Sequence, residues 1–424
     1  QGRLSMLVPS SIQTDEGCMP LRRLFTTEHT LEELTSFENR GYLAVENGKE
    51  VKKQIFPDVD DRFKFSFVKL IKNVPTPPDH AFNARFYIHN PADVYQPPLR
   101  YPLELIRSFS PQMLSIVEYR SERDMALFKK LRDQHPFFGD LGFRFRRELH
   151  STGDGHLIHA RNGRKLEAGQ MPLFEGRTIH QFDSKFAVPD EYVIERDVRE
   201  LLLRKQIFRL GKLVREQNPA KLEGKAVPKT KEELDEHLRV TFEKKHFKLD
   251  YELSRLAYRE IARSTDERTL IASLIPVSVN MNHKLMYLVP VRYELSPGGK
   301  LSQEEIPKQK VESVLAVLNS LVANYYIRSR VSSTVSVFYV YELPFPKLVA
   351  AQEKQLADSA AKLLKHPRDV AERAKLEVFI ARDLYGLSAA DWRHLTGTFT
   401  FGGDSATKAE LDEIIRQSHA LWPG

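Results

Sequence analysis

Arginines recur at intervals of four or five residues through the segment 251–270. They are Arg255, Arg259, Arg263 and Arg268, and the acidic residues among them are Glu252, Glu260, Asp266 and Glu267. A guanidinium presents its N–H donors in a planar fork that fits phosphate oxygens or the base edge of guanine. The pattern also fits a solvated surface of ion pairs, and the charges alone do not choose between these two interpretations.

A second basic segment covers residues 141–165. Its cationic residues are Arg144, Arg146, Arg147, Arg161, Arg164 and Lys165, and its acidic residues are Glu148 and Asp154. The resulting local charge of +4 favours phosphate groups as partners. His180 lies farther along, in a segment where apolar and polar residues alternate, and no second histidine is placed as a metal partner. This pattern fits a hydrogen-bonded histidine at a strand edge, and it also fits a contact to a base edge or a phosphate.

Enzyme motifs give no positive signal. The chain contains no Gly-x-Gly-x-x-Gly, no phosphate-binding Gly-x-x-x-x-Gly-Lys-Ser/Thr and no His-Glu-x-x-His. Pro57-Asp58 could be forced into a metal-dependent nuclease pattern, but its usual Glu-x-Lys partner is not clear, so we interpret it as a turn. The single cysteine, Cys18, excludes an intrachain disulfide and a zinc site made of several thiolates.

Composition places the chain among ordinary globular proteins with a basic excess. Its 424 residues leave room for two or three domains, 41% are hydrophobic and 29% are charged, and the net charge is +7. A basic balance favours a polyanionic partner without proving one. Because no apolar run approaches ~18 residues and no signal peptide opens the chain, we expect a cytoplasmic protein with no membrane partner.

The elements of the first 140 residues are predicted from periodicity and from prolines. Residues 1–72 indicate an α/β fragment with a strand at Leu4–Val8, a helix around Pro20–Thr27 and a hairpin. A half-buried strand follows at Arg62–Leu70, with three phenylalanines alternating with polar residues. The proline density of residues 73–112 favours a connector without long helices or central strands, and Ser121 caps a short amphipathic helix over 121–133 that His135-Pro136 ends.

The remainder mixes strands, loops and charged helices. Residues 141–300 indicate short strands with helices at roughly 191–216 and 230–245, and the apolar spacing over 311–326 predicts a helix with a core face. Alternation of Val335, Val337, Tyr339 and Tyr341 predicts a strand. A charged helical tail then runs from about 347 to 424, with Gly386 as a helix C-cap.

Six stretches, taken in order, resemble the C-terminal half of type IIG restriction-modification enzymes. These are adenine-specific DNA methyltransferases and phage-defence relatives with a Taq-like specificity domain. The stretches are Gly2–Ser11; Phe37–Asn39 with Ile55–Pro57 and Arg62–Phe65; Tyr119–Asp124; Leu173–Asp183; Tyr258–Ala272; and Leu376–Trp392. Together they span nearly the whole chain.

The resemblance implies a mixed α/β and α+β architecture in four segments. Residues 1–72 would be the last strands of a Rossmann-like methyltransferase fold, and residues 73–140 a proline-rich connector with a short helix. Residues 141–347 would form a target-recognition domain, and residues 348–424 a helical tail. In the recognition domain, the helix 311–326 and the turn 328–333 are similar to the layout of type I specificity subunits.

The resemblance also bears on individual residues and on the cofactor. Phe56 matches the aromatic that relatives stack on the flipped target adenine, whereas the residues alone also fit a core aromatic beside a turn. The catalytic Asn/Asp-Pro-Pro-Tyr/Phe tetrapeptide is absent, as is the glycine-rich S-adenosylmethionine loop. We therefore expect that a core preceding Gln1, in the same parent chain or in another subunit, binds S-adenosylmethionine, and that this segment alone is catalytically inactive, with no catalytic residue and no metal site of its own.

Taken together, the sequence predicts a DNA-recognition module of an adenine-N6 methyltransferase, belonging to a restriction-modification or phage-defence system, that binds double-stranded DNA. The predicted DNA contacts are Arg144, Arg146, Arg147, His180, Lys185, Arg259, Arg263, Arg268, Arg328 and Arg330. The alternative is a basic protein-interaction module of a defence complex, without specific DNA readout. A third possibility is a nuclease in its own right, which Mg²⁺-dependent nicking would reveal.

Overall fold

A computed structural model describes most of the chain and divides it into two compact units. The described residues are 2–39, 41–61, 63–217, 230, 232–233, 236, 238–240, 247–263, 266–295, 301–331, 333–400 and 405–422. Unit 1 comprises Gln1–Phe137, Tyr326–Ser332 and Glu342–Pro346, and unit 2 comprises Phe138–Tyr325, Ser333–Tyr341 and Lys347–Gly424. The predicted segments 1–72 and 73–140 thus fall together in unit 1, apart from the last three residues of the second. Most of the predicted helix 230–245 lies outside the described residues, as do Arg62, Ser264, Thr265 and Ser332.

Unit 1 is built on a five-stranded mixed sheet. The strands of this unit are β1 (Arg3–Pro9), β2 (Thr30–Glu38), β3 (Tyr42–Glu46), β4 (Lys49–Lys53), β5 (Lys64–Ile71), β6 (Ala81–Ile88) and β7 (Leu99–Pro102). The sheet order is β1-β5-β2-β6-β7, in which β5 runs antiparallel to both neighbours and β2 is parallel to β6. Two short helices, α1 (Ser11–Thr14) and α2 (Met19–Thr27), connect β1 to β2 and confirm the strand and helix expected there. Strands β3 and β4 form a separate hairpin with Asn47 and Gly48 at its turn, both with positive φ.

Two expectations for unit 1 need correction. The proline-rich stretch does contain an inner strand, β6, because its prolines flank the run Ala81–Ile88 and leave every N–H of that run able to pair. In β5, the fully buried side is Ser66, Val68 and Leu70, whereas Phe63, just before the strand, is 60% exposed. The period-2 pattern therefore identified the strand, although its phenylalanine side is the less buried one. Helices α3 (Leu103–Phe109) and α4 (Glu122–Gln134) complete this part of the chain, and the Ser121 side chain caps α4 as expected.

The described residues of unit 2 form three further sheets. Its strands are β8 (Phe145–Arg146), β9 (Ile158–Ala160), β10 (Gln170–Phe174), β11 (Glu191–Ile194), β12 (Arg255–Arg259), β13 (Ala272–Ile275), β14 (Asn280–Met281), β15 (Leu285–Leu288), β16 (Val291–Leu295) and β17 (Leu301–Glu305). They pair in the orders β14-β10-β11-β9, β13-β12-β15-β8 and β16-β17. Buried residues such as Ala257, Ile275 and Tyr287 form a core against the first of these sheets through Phe174 and Met281.

The later helices end in the predicted helical tail. They are α5 (Glu195–Gln217), α6 (Lys308–Leu318), α7 (Leu321–Arg328), α8 (Val337–Tyr341), α9 (Ala350–Lys365), α10 (Val370–Val378), α11 (Ala389–Gly397) and α12 (Ala406–Leu421). A π-helical segment, Phe379–Leu384, follows α10, and Gly386 has φ +60° just after it, as a helix C-cap requires. At the level of fold class, the expected mixed architecture is confirmed.

Two helix boundaries and the type of one element differ from the predictions. Glu191–Ile194 is a strand paired with β10, so α5 starts only at Glu195. The predicted helix 311–326 is interrupted after Leu318, because the Asn319 side chain is engaged in two hydrogen bonds with the backbone of Ala272. Val337–Tyr341 is helical and not a strand, since a short apolar run does not distinguish a buried helix from a buried strand by periodicity.

Candidate nucleic-acid interface

A buried ion pair holds together the strands that carry the basic segment of unit 2. Arg255 on β12 donates to Glu148 at 2.6 Å, and both side chains are essentially inaccessible to water. The second Glu148 oxygen accepts from the Met281 N–H at 2.7 Å, and the Leu149 N–H donates to the Met281 carbonyl. These bonds fix the segment that follows β8 against β14. Burial raises the pKa of Glu148, and Arg255 opposes that rise.

Beside this pair, cationic side chains surround the end of β12. Arg147 forms a two-pronged ion pair with Glu260, whose N–H donates to the Lys284 carbonyl. The Lys284 ammonium binds Glu175, which also accepts from Arg177. The Arg147, Arg177 and Lys284 side chains remain 50%, 62% and 44% exposed. Their carboxylate partners are mostly buried, with Glu260 5% and Glu175 12% exposed, so breaking these pairs would leave a buried charge without its partner. The N–H donors that the pairs leave free can still bind a phosphate.

Arg259 connects this group to His180. Its guanidinium donates two hydrogen bonds to the Ile179 carbonyl and lies over the Phe186 ring, 5.8 Å from the centroid. The His180 ring also stacks on Phe186, with 4.9 Å between the two ring centroids. Phe186 is 41% exposed, so an aromatic ring reaches the surface between an arginine and a histidine. We call Arg147, Arg177, His180, Lys185, Arg259, Arg263 and Lys284 the basic face of unit 2.

The electrostatic surroundings keep His180 uncharged. Burial lowers its pKa to about 3, helped by Arg259, Arg268, Arg373 and Arg368 in that order. A neutral imidazole offers one hydrogen-bond donor and one acceptor, which suits the mixed edge of a base. Burial also lowers the pKa of Arg259 to about 10, so the guanidinium still carries its charge at neutral pH.

Beneath His180, a buried network holds the backbone in an unusual conformation. Gln181 donates to the carbonyls of Leu270 and Asn319 and accepts from Arg373, which also binds Glu377. The next residue, Phe182, has φ +61°, a strained value for a non-glycine residue. Such strain persists only where the surroundings over-determine the conformation. The network therefore fixes the position of His180 relative to the arginines.

The other predicted contact residues in unit 2 range from exposed to buried. Arg144, Lys185 and Arg263 are exposed, and their side chains make no ion pair with the described residues. Arg146 is half-buried near Asp250 and Gln206. Arg268 is buried, and burial together with Arg373 lowers its pKa to about 9. Arg268 therefore contributes its charge from below the surface, where it cannot itself reach a phosphate without rearrangement.

Two predicted contacts lie in the interior of unit 1. Arg330 is 1% exposed, donates to the Phe109 carbonyl at 2.7 Å and pairs with Glu342 at 3.0 Å. Arg328 is also buried. Their charges are used inside the fold, so we no longer expect either residue to contact DNA. Sequence spacing does not show that Arg330 meets Glu342 away from water.

Phe56 belongs to an aromatic group of unit 1. Its ring meets Phe65 edge-on at 4.5 Å, and Phe65 stacks on Phe37 at 5.2 Å. The buried Asn39 side chain accepts from the Phe56 N–H and donates to the carbonyls of Phe56 and Val59. Asn39 therefore fixes the turn at Phe56-Pro57, and the Phe56 ring itself is only half-buried. This geometry fits a core aromatic beside a turn and equally fits a ring that stacks on a flipped adenine.

Sequence reasoning missed three surface cations and one ring. Arg177 and Phe186 lie in or beside the segment 173–183 that we had singled out for His180 alone, and Lys284 follows β14 with no charged neighbour in sequence. Arg368 precedes α10, is exposed and has no hydrogen-bond or ion-pair partner among the described residues. Its influence on His180 is visible only in three dimensions.

The described residues show neither a metal-binding cluster nor a membrane-spanning helix. Within them, no group of three or more His, Cys, Asp or Glu side chains is arranged to hold a metal ion. Likewise, none of the helices in the described part of the chain is long and apolar enough to span a bilayer.

Comparison with known proteins gives similarity to solved structures alone. No protein-family model and no curated protein sequence matches the chain. The type IIL restriction-modification enzyme MmeI in complex with DNA is similar over 99% of this chain and 50% of that chain, with 10% identity and a TM-score of 0.44. A nuclease-deletion mutant of the type ISP enzyme LlaGI in complex with a DNA substrate mimic is similar over 86% of this chain and 29% of that chain, with 12% identity and a TM-score of 0.31. The chain thus spans half the length of the first protein and less than a third of the second.

Proposed function

We propose that this chain is the DNA-recognition part of a site-specific adenine-N6 DNA methyltransferase from a restriction-modification or phage-defence system. The observation that carries the proposal is the basic face of unit 2, where exposed cations surround a neutral histidine and a half-exposed phenylalanine. Cations of this kind neutralise phosphates, while a neutral imidazole and a ring edge can contact bases. The sequence resemblance supports the same assignment.

The residues of the basic face divide by role. Arg147, Arg177 and Lys284 would bind backbone phosphates with the N–H donors that their carboxylate partners leave free, and Lys185 and Arg263, which have no ion pair among the described residues, would add further phosphate contacts. His180 would read a base edge, since its position is fixed by the network below it and its ring nitrogens have no partner among the described residues. Arg259 is committed to Ile179 and would orient Phe186 and His180.

In unit 1, Phe56 would stack on the extruded adenine. An enzyme that modifies the adenine amino group must take the base out of the helix, and an aromatic ring compensates for the lost stacking. The Asn39 hydrogen bonds would hold the ring-bearing turn in place before the base arrives. Strands β1 and β2 run in the same direction on either side of β5 and are joined by α1 and α2, which is compatible with the end of an α/β fold.

S-adenosylmethionine does not fit the residues of this chain. Strand β1 leads directly into α1 through Ser10, without the glycine-rich loop that the resemblance associates with the cofactor. The catalytic tetrapeptide is absent as well. We therefore assign the cofactor and the methyl transfer to a core outside this chain, and we derive no catalytic step from the residues described here.

The test is binding to a pool of randomised duplexes, measured by fluorescence anisotropy over a salt series and followed by sequencing of the retained DNA. Enrichment of one short motif containing an adenine would support the proposal. Binding without enrichment would leave an electrostatic surface without specificity. Absence of binding at low salt would refute the proposal and favour a protein-interaction module.

Matched variants locate the contact surface. Lys185→Gln and Arg263→Gln should each reduce the slope of log K against log salt by about 0.9, the value expected for one lost phosphate contact. Arg416→Gln is the control, because Arg416 is equally exposed but lies on α12, paired with Glu413 in the same helix. An equal loss in all three variants would mean that general charge, and not the basic face, accounts for binding.

A further inference from the structure

Two histidines that no function above uses are stacked on each other in unit 2. The rings of His150 and His283 lie 5.1 Å apart with an interplanar angle of 26°. Their juxtaposition follows from the bonds that Glu148 and Leu149 make with Met281, since each histidine lies two residues or fewer beyond a bonded position. The pair is therefore built into the fold and is not a chance meeting of mobile side chains.

In both rings the two nitrogens differ in whether they have a hydrogen-bond partner. Nδ1 of His283 lies 2.9 Å from the Ser151 hydroxyl, and Nδ1 of His150 accepts from the Thr152 N–H at 3.4 Å. Neither Nε2 has a partner among the described residues, and His150 is exposed while His283 is half-buried. Two imidazole Nε2 atoms thus remain available to an external hydrogen-bond acceptor.

The charged groups around the pair are mostly cationic. Burial lowers the pKa of His283, and His150, Lys284 and Arg147 lower it further, while Glu260 opposes them. On the other side of the pair, the Asp154 carboxylate accepts from the backbone N–H of His150, but it is already paired with the Lys205 ammonium at 2.8 Å. Glu175 and Glu260 are occupied by Lys284, Arg177 and Arg147. No carboxylate in the described surroundings is left over to neutralise a proton on the pair.

We infer that His150 and His283 form a binding site for one backbone phosphate of the DNA, and that this site is filled more strongly when one of the two imidazoles is protonated. The inference rests on the proposed function. A phosphate supplies the negative charge that the surroundings lack, and one imidazolium with one neutral ring can donate from both Nε2 atoms. The position beside Arg147 and Lys284 makes the pair continuous with the basic face.

The consequence is that DNA affinity depends on pH. As the pH falls from 7.5 to 5.5, one added phosphate contact should steepen the slope of log K against log salt by about 0.9. The His150→Gln/His283→Gln double variant should show the pH 7.5 slope at both pH values. His159→Gln is the control, because His159 also lies in unit 2 and contacts an aromatic ring, that of Tyr192, but is not part of the pair.

Both the unmodified protein and the variants can decide the question. An equal salt slope at both pH values in the unmodified chain, or an unchanged pH effect in the double variant, would overturn the inference while leaving the proposed function standing. Absence of DNA binding at either pH would overturn both. Histidine NMR on the unmodified chain avoids any folding defect of the variant: adding duplex DNA should raise the pKa of His283, and an unchanged pKa would contradict the phosphate site.

Discussion

Replacing Glu148 should destabilise unit 2 strongly. Glu148→Ala leaves the Arg255 guanidinium buried without its carboxylate and the Met281 N–H without its acceptor. Breaking a buried pair by removing one partner costs ~3–5 kcal/mol. At ~2–4 °C for each kcal/mol in a domain of this size class, the melting temperature of unit 2 should fall by about 6–20 °C.

Tryptophan fluorescence makes the measurement specific to one unit. The only tryptophans, Trp392 and Trp422, both belong to unit 2, and Trp392 is buried. The control is Glu305→Ala, which removes a carboxylate from the exposed Lys248–Glu305 pair, whose side chains are 54% and 56% exposed. That change should cost at most ~1 kcal/mol.

A double replacement tests the reason for the effect. Glu148→Leu/Arg255→Met removes both charges and fills the space with apolar atoms, a change that is often neutral or even stabilising. It should therefore recover most of the stability lost in Glu148→Ala. A double variant no more stable than the single one, or a single variant indistinguishable from Glu305→Ala, would refute the claim that an unpaired buried charge is the cause.

Two further perturbations test local parts of the structure. Asn39→Ala should release the turn at Phe56, because three hydrogen bonds of a fully buried amide are lost. Since each buried group left unsatisfied costs ~1–3 kcal/mol, hydrogen exchange of residues 54–60 should accelerate at least ~5-fold. Unchanged exchange would contradict the role given to Asn39. Asp154 has a lowered pKa, since Lys205 and the His150 N–H outweigh its burial. Ionised Asp154 therefore stabilises unit 2 at pH values above the pKa that it has in the unfolded chain, and this contribution is lost as the pH falls through its lower pKa in the folded state. Lys205→Met should lessen the acid-dependent fall in melting temperature below pH about 4. An identical pH profile in the variant would contradict the pairing.

Local sequence patterns predicted the elements whose stabilising contacts lie nearby in the chain. The Ser121 hydroxyl caps α4 by accepting from the Asp124 N–H three residues later, and Gly386 ends a helix through its own φ. The interruption after Leu318 was not predictable, because the residue that makes it meets Ala272, far away in sequence. The inner strand β6 was missed because proline density was judged over a whole segment, whereas pairing depends on where within the segment the prolines lie.

The residues of the candidate site were harder to predict from sequence than the helices and strands. Nine arginines and lysines and His180 were chosen for their residue type and for the resemblance. The buried Arg330, which was chosen, and the buried Arg255, which was not, have the same side chain as the exposed Arg263. An arginine becomes structural when the fold places a carboxylate beside it away from water. Sequence spacing carries no record of such a partner, whether it lies more than a hundred residues away, as Glu148 does from Arg255, or closer, as Glu342 does from Arg330. His150 and His283, which are separated in the same way, were missed for that reason.

The buried and the exposed charges of unit 2 depend on each other. Glu148 pairs with Arg255 inside the fold, while its neighbour Arg147 pairs with Glu260 at the surface and its near neighbour His150 meets His283. A single short segment thus carries an interior anchor and two surface groups, so the surface groups inherit the rigidity of the buried pair. The ion pairs held on such an anchor keep Arg147 and Lys284 in place, so that, under the proposed function, their free N–H donors would meet phosphates in a fixed position. Loss of the anchor should therefore weaken DNA binding even at temperatures where unit 2 remains folded.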